Sequence, residues 1–147
     1  DESLPKIKQF LQDHPDVEYL IGSSMGGFYV LCTEFEGRKI VINPLLQAPK
    51  VMKYAVGTHQ WRGRRTDGAT EFTFTLEDAE RFNHYTPKDS PQTICHYTEH
   101  DQVLGEWTKE YYPKFFAHCQ MITELKGHFL SEEYIQHRLR EAMQIVL

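Results

Sequence analysis

The chain has 147 residues, of which 40% are hydrophobic and 13% aromatic, and its net charge is −5. This length suits one domain with a single core, and the composition excludes an intrinsically disordered protein. The negative charge argues against a nucleic-acid partner. No apolar run approaches the roughly 20 residues that cross a membrane, so we expect no membrane partner either.

The cysteines and the start of the chain give expectations about the cellular compartment and about the extent of the natural protein. The three cysteines, Cys32, Cys95 and Cys119, are odd in number and widely spaced, so they do not indicate a disulfide framework. No signal peptide is visible, and we expect a cytoplasmic protein. The chain opens with Asp1 and leads directly into a helix, so we expect part of the natural protein to lie upstream.

The first part of the chain alternates helices with strands. Apolar residues at helical spacing predict a first helix (Leu4, Ile7, Phe10, Leu11) and a second one (Met25, Phe28, Tyr29, Cys32, Phe35). Between them, the continuous apolar run Val17–Ile21 predicts a strand buried on both faces. The run Lys39–Ile42, which Asn43-Pro44 ends, predicts a second strand.

The stretch from about Leu45 to Pro91 has no strong strand signal. It contains a short helix around 49–56, a loop rich in Gly, Arg and Thr from Gly57 to Thr70, and a second helix that starts near Thr75 with a capping box. An insertion of this size between two strands is more typical of a lid than of a bare loop. We therefore predict a helical lid, inserted into a single domain that covers residues 1–147.

The remainder of the chain continues the alternation. Thr93–Tyr97 and Met121–Leu125 are predicted strands. Two predicted helices flank the later strand, one marked by Leu104, Trp107, Tyr111 and Phe115, the other capped by Ser131 and packed through Ile135, Leu139, Met143 and Val146. Strands alternating with helices predict an α/β fold with a mainly parallel sheet and helices on both faces.

The turn after the first strand carries the strongest motif. Gly22-Ser23-Ser24-Met25-Gly26-Gly27 follows an apolar strand and opens a helix, which matches the G-x-S-x-G nucleophile elbow. In that motif, small residues let the backbone make a tight turn that raises the serine hydroxyl above the sheet. Ser24 is the predicted nucleophile, Met25 N–H a donor to the oxyanion, and Ser23 a structural turn residue.

A serine nucleophile needs a base, and the base needs an orienting acid. In α/β-hydrolases these residues follow in the order Ser, acid, His, at the ends of later strands. Asp101 follows the third predicted strand and His128 the fourth, so they are the predicted acid and base. Glu99 and Glu106 are alternative acids.

Two other patterns suggest different chemistry. His96-Tyr97-Thr98-Glu99-His100 matches the H-x-x-E-H of inverted zinc metallopeptidases, which requires a helix, whereas this segment is predicted to be a strand and loop. Arg62-Gly63-Arg64-Arg65 is a solvated charged stretch or an anchor on the lid for an anionic substrate group. We predict no metal and no cofactor.

These residues resemble those of small bacterial α/β-hydrolase esterases of the YqiA type. The resemblance covers essentially the whole chain and depends on four segments: 21–27, Val41-Ile42-Asn43-Pro44, Asp101-Gln102-Val103-Leu104 and Gly127-His128-Phe129. It implies that Ser24 is the nucleophile, Asp101 the acid and His128 the base. It also implies a preceding strand with a His-Gly loop, which would supply a second oxyanion donor.

The sequence therefore predicts a serine hydrolase that acts on small carboxylic esters or thioesters, with a homo-oligomer left open. The alternative is a non-catalytic binding module that keeps the hydrolase scaffold, with an exposed sheet edge that a partner completes.

Overall fold

The computed structural model describes residues 2–61, 63 and 65–144. Its helices are α1 (Ser3–Asp13), α2 (Met25–Cys32), α3 (Ala48–Val51), α4 (Leu76–Arg81), α5 (Thr108–Phe115) and α6 (Arg140–Gln144). Its strands are β1 (Tyr19–Ser23), β2 (Arg38–Ile42), β3 (Gly57–Gln60), β4 (Glu71–Phe74), β5 (Thr93–Tyr97) and β6 (Cys119–Met121). Two 3₁₀ turns, Met52–Ala55 and Phe82–His84, follow α3 and α4, and a π-helical segment, Tyr134–Leu139, leads into α6.

A four-stranded sheet in the order β1-β2-β5-β6 forms the centre of the fold, and all its pairs are parallel. Alternate residues of β2 enter two separate apolar clusters, since side chains of a strand point to opposite faces. Val41 packs with residues of α2 and α5, whereas Ile40 and Ile42 pack with Tyr134 and α6. The predicted α/β fold, with a mainly parallel sheet and helices on both faces, is confirmed.

The register of the sheet brings the ends of its strands together. Ser23 lies opposite Ile42, and Ile42 lies opposite His96. The loops that leave the carboxyl ends of β1, β2 and β5 therefore start at one edge of the sheet, which is where open α/β sheets place their sites.

Residues Gln47–Thr86 form a compact unit of their own. The capping box at Thr75 is confirmed, because its hydroxyl and the Asp78 carboxylate each accept a backbone N–H of the other residue. The predicted loop from Gly57 to Thr70 is wrong in part, since its first four residues pair with β4 in an antiparallel hairpin. A strand of four residues has too few alternating apolar and polar positions for the sequence to predict it.

Other boundaries also differ from the sequence prediction. β1 is an edge strand, so Ile21 is 42% exposed and the strand is not buried on both faces. β6 ends at Met121, and the apolar residues after it, Ile122 and Leu125, are buried in the following turns instead of in a strand.

The helical stretch that leads into α6 begins after Ser131, and the Ser131 hydroxyl accepts the Tyr134 N–H at 3.1 Å, as the predicted cap requires. The π-helical turns change the residue spacing, so Tyr134 is buried and the predicted core residue Ile135 is 45% exposed. Val146 lies outside the described residues. Among the helices that the structure describes, none combines the length and apolar character that a membrane-spanning segment requires.

Candidate active site

Ser24 stands between β1 and α2 in a strained backbone conformation. Its φ is 54° and its ψ is −119°, a region that residues with a Cβ rarely occupy. The turn is held from the neighbouring strand: Ser24 N–H donates to the Ile42 carbonyl at 2.9 Å, and Leu45 N–H donates to the Ser24 carbonyl at 3.0 Å. Ser24 itself is partly exposed. This is the geometry that the elbow motif predicts.

The glycines around Ser24 have different roles. A Cβ on Gly22 would lie 2.7 Å from the Gly27 nitrogen, and one on Gly27 would lie 2.8 Å from the Pro44 Cβ, so both positions exclude a side chain. A Cβ on Gly26 would meet nothing within 4 Å. The second glycine of the G-x-S-x-G pattern is therefore not required by packing in the folded chain, whereas Gly27 beside it is.

Asp101 and His128 form a buried hydrogen-bonded pair. Asp101 Oδ2 lies 2.8 Å from His128 Nδ1, and the side chains are 0% and 3% exposed. The other carboxylate oxygen accepts the backbone N–H groups of Val103 at 2.9 Å and Leu104 at 2.7 Å. The carboxylate is thus fixed on both sides, and it holds the imidazole so that Nε2 remains free to exchange a proton.

The loops after β5 and β6 are also held together. Gln102 Oε1 accepts the His128 N–H at 3.0 Å, and a Cβ on Gly127 would lie 2.7 Å from the same oxygen. Gly127 therefore lets Gln102 lie directly against the backbone that carries the base.

The alternative acids do not contact His128. Glu106 is exposed and pairs with Lys109 at 2.8 Å and His100 at 3.1 Å, which lowers the pKa of its carboxyl. Glu99 is also exposed and lies 3.9 Å from His100. Of the three predicted acids, Asp101 is the one that the fold places on the imidazole.

The histidines of the H-x-x-E-H pattern point to different environments. His96 lies on β5, is buried, and has its Nδ1 2.9 Å from the Tyr134 hydroxyl. Burial lowers the pKa of His96 to about 4, and the nearby Arg138 acts in the same direction. His100 is 71% exposed on the loop that follows. Within residues 2–61, 63 and 65–144, no group of three or more His, Cys, Asp or Glu side chains is arranged to hold a metal ion.

Arg65 is already engaged within its own unit. It donates three hydrogen bonds of 2.6 to 3.1 Å to the two Asp67 carboxylate oxygens, which lowers the pKa of Asp67 to about 2. Its guanidinium lies 4.4 Å from the Trp61 ring centroid. Arg62 and Arg64 of the predicted anion anchor lie outside the described residues.

The two remaining predicted residues flank Ser24. Ser23 is the last residue of β1, and Met25 is the first residue of α2, so its N–H is one of the donors that a helix start leaves without an intrahelical partner. In the part of the chain that the structure describes, no hydrogen bond joins the Ser24 hydroxyl to His128. The fold thus brings together Asp101 and His128 in the loops after β5 and β6, and it places Ser24 in the turn after β1, at the same edge of the sheet.

Sequence reasoning missed two site residues, Asn43 and Gln102, as contributors of hydrogen bonds. Both occur in the segments that carry the family resemblance, but their roles depend on loops distant in the sequence. Asn43 Nδ2 donates to the His128 carbonyl at 3.0 Å across 85 positions. The only sequence signal was the Asn-Pro that ends the second predicted strand.

One solved structure with a similar fold is the crystal structure of a "Putative hydrolase from Agrobacterium vitis S4". The two chains are 19% identical, with a TM-score of 0.57, and the match covers 96% of this chain and 66% of that chain. The present chain therefore spans just under two thirds of the length of that protein. The likeness shows a hydrolase-like α/β fold. No protein-family model matches the chain, and no curated protein gives a significant match.

Proposed function

We propose that the protein is a serine hydrolase that cleaves small carboxylic esters or thioesters through an acyl-enzyme on Ser24, as the resemblance to YqiA-type esterases implies. The observation that carries the proposal is the buried Asp101–His128 hydrogen bond at the carboxyl edge of the sheet that also bears the strained Ser24 turn. Burying a carboxylate and an imidazole is costly unless they are paired and hydrogen-bonded, as these two are. Buried titratable pairs of this kind are concentrated at functional sites, which supports the proposal.

The proposed reaction has two acyl-transfer steps. His128 Nε2 takes the Ser24 hydroxyl proton while Oγ attacks the substrate carbonyl, and the Met25 N–H stabilises the resulting oxyanion. His128 then donates that proton to the departing alcohol or thiol as its bond to the acyl carbon breaks. Water then gives a proton to the same nitrogen while its oxygen attacks the acyl carbon. The bond from that carbon to Ser24 Oγ breaks, His128 Nε2 returns the proton to Oγ, and the carboxylic acid leaves.

Asp101 has a supporting role in this reaction. Its Oδ2 fixes the tautomer in which Nδ1 carries a proton, and it stabilises the imidazolium formed during attack. The hydrogen bonds from Val103 and Leu104 N–H to Oδ1 hold the Asp101 carboxylate in place. The carboxylate therefore does not have to be reoriented during the reaction.

A hydrolysis assay tests the proposal. Purified protein is given p-nitrophenyl acetate, p-nitrophenyl butyrate and a short acyl thioester, with Ser24→Ala as the test variant and Ser23→Ala as its matched control. We expect hydrolysis by the native protein and by Ser23→Ala, and none above background by Ser24→Ala. A folded native protein that hydrolyses none of these substrates favours the non-catalytic binding module. Loss of activity with a chelator favours the metallopeptidase.

A further inference from the structure

A buried asparagine lies between the turn that carries Ser24 and the loop that carries His128. Asn43 follows β2 directly, is fully buried, and has a φ of 43°. Its Oδ1 accepts the Thr98 N–H at 2.9 Å, and its Nδ2 donates to the carbonyl of His128 at 3.0 Å. One side chain thus joins the end of β5 to the backbone of the proposed base.

The backbone on both sides of Asn43 holds the proposed nucleophile. The carbonyl of Ile42 accepts the Ser24 N–H, and the N–H of Leu45 donates to the Ser24 carbonyl. Asn43 N–H itself donates to the carbonyl of His96 at 3.0 Å. The four residues 42–45 are therefore bonded to the Ser24 turn, to β5 and to the His128 loop.

We propose that Asn43 is a positioning residue that fixes the His128 imidazole relative to the Ser24 hydroxyl. The inference rests on the proposed roles of Ser24 and His128. Because Asn43 is fully buried, it acts through these two residues and does not touch substrate. Since the structure gives Ser24 and His128 no direct hydrogen bond within its described residues, their relative position depends on such shared supports.

The chemistry of asparagine suits this position. Asparagine tolerates the left-handed backbone region better than most residues, and its amide supplies one acceptor and a donor group in a single rigid plane. An aspartate would have the same shape, but it would place an oxygen opposite the His128 carbonyl, where the two acceptors repel. Small displacements of a catalytic group are costly, since a misplacement of about 1 Å can lower a rate about 10²-fold.

The test compares Asn43→Gly with Leu31→Ala. Glycine adopts the same positive φ and removes both side-chain hydrogen bonds, whereas Leu31→Ala removes a buried side chain of the α2 core and leaves the hydrogen bonds of the site intact. Two properties are measured: kcat and KM for p-nitrophenyl butyrate, and the low-field proton resonance of the His128 Nδ1–H that Asp101 accepts. A purely structural contribution would lower stability in both variants alike and leave the two properties unchanged.

We expect Asn43→Gly to lower kcat about 10- to 100-fold with KM nearly unchanged, and to weaken or abolish the Nδ1 proton resonance. Leu31→Ala should keep both properties. A folded Asn43→Gly with native kcat and a native resonance would overturn the positioning role. If the native protein shows no hydrolysis that Ser24→Ala removes, the proposed function fails, but the resonance still decides whether Asn43 orders His128.

Asn43→Asp serves as the second variant if Asn43→Gly does not fold. It keeps the acceptor for Thr98 N–H and replaces the donor that faces the His128 carbonyl. We expect the same loss of kcat and of the resonance, and native values for both would again contradict the inference.

Discussion

Two neighbouring turns each hold a non-glycine residue at positive φ, but the two side chains have different surroundings. Among the residues that the structure describes, Ser24 and Asn43 are the non-glycine residues with positive φ, at 54° and 43°, and they follow the adjacent strands β1 and β2. Ser24 is partly exposed, and its hydroxyl has no hydrogen-bond partner within the described chain. Asn43 is fully buried and bonded through its amide oxygen and nitrogen. The first turn leaves its side chain partly exposed, whereas the second uses its side chain to join two loops by hydrogen bonds.

The largest expected effect is a loss of kcat when the side chains proposed to activate Ser24 are changed. If the Ser24 hydroxyl depends on an oriented imidazole, Asp101→Asn should lower kcat about 10⁴-fold, because the amide favours the wrong imidazole tautomer. Glu106→Gln changes the rival acid in the same loop and should leave kcat near the native value. Steady-state kinetics with a p-nitrophenyl ester measure both. Equal losses in the two variants would contradict the assignment of Asp101.

The next effect concerns the packing that holds the Ser24 turn. Gly22→Ala places a methyl group against the backbone of Gly26 and Gly27, so we expect the free energy of unfolding to fall by about 2–3 kcal/mol. Gly26→Ala is the matched control. Its Cβ has open space within α2, and helix propensity predicts a gain of about 0.5–1 kcal/mol. Urea unfolding of both variants measures the difference, and a Gly22→Ala protein as stable as Gly26→Ala would refute the packing argument.

The two strained residues themselves should respond oppositely to glycine. Ser24→Gly relieves a backbone strain of about 1–3 kcal/mol, offset by the greater entropy of glycine in the unfolded chain, so stability should stay level or rise. Asn43→Gly also relieves strain, but it leaves Thr98 N–H and the His128 carbonyl without their partner, at about 1–3 kcal/mol. We expect Asn43→Gly to be less stable than Ser24→Gly by about 2 kcal/mol in urea unfolding. If Ser24→Gly is instead the less stable variant, the difference that we infer between the two turns is wrong.

The last effect is a dependence of stability on pH that comes from His96, whose backbone carbonyl accepts the Asn43 N–H. Burial lowers the pKa of His96 to about 4 in the folded protein, against about 6.5 when unfolded. The unfolded state therefore binds more protons between these values, and stability falls as pH falls. Between about pH 8 and about pH 5 this group should remove about 2 kcal/mol.

Urea unfolding across that pH range checks the effect of His96. In His96→Gln the side chain does not titrate, so the dependence on pH should be weaker by about that amount. A native protein and a His96→Gln variant with parallel pH profiles would show that His96 is not held neutral in the folded state.

The sequence predicts what is local and misses what is distant. The Ser24 turn could be predicted because a strand, a glycine-flanked serine and a helix are contiguous, and Asp101 and His128 because parallel strands end at one edge of a sheet. The hydrogen bonds of Asn43 and Gln102 could not, since they join loops that are 85 and 26 positions apart. Nothing in the residue pattern of either segment specifies its partner.

The errors in the fold have similarly physical causes. The hairpin of β3 and β4 depends on cross-strand contacts, such as Thr58 with Thr73 at 3.1 Å, and not on a long alternating run. The spacing of a regular α-helix places Ile135 in the core, whereas the π-helical turns bury Tyr134 instead. The lid role of the Gln47–Thr86 unit stays a prediction.

We propose that Ser24 is a nucleophile activated by the Asp101–His128 pair. The most direct measurement is the reaction of the folded protein with a fluorophosphonate, followed by mass spectrometry of its peptides. We predict one adduct per chain, located on Ser24, and strongly slowed in His128→Ala. An unmodified folded protein, or an adduct on another residue that forms equally well in Ser24→Ala, would contradict the claim.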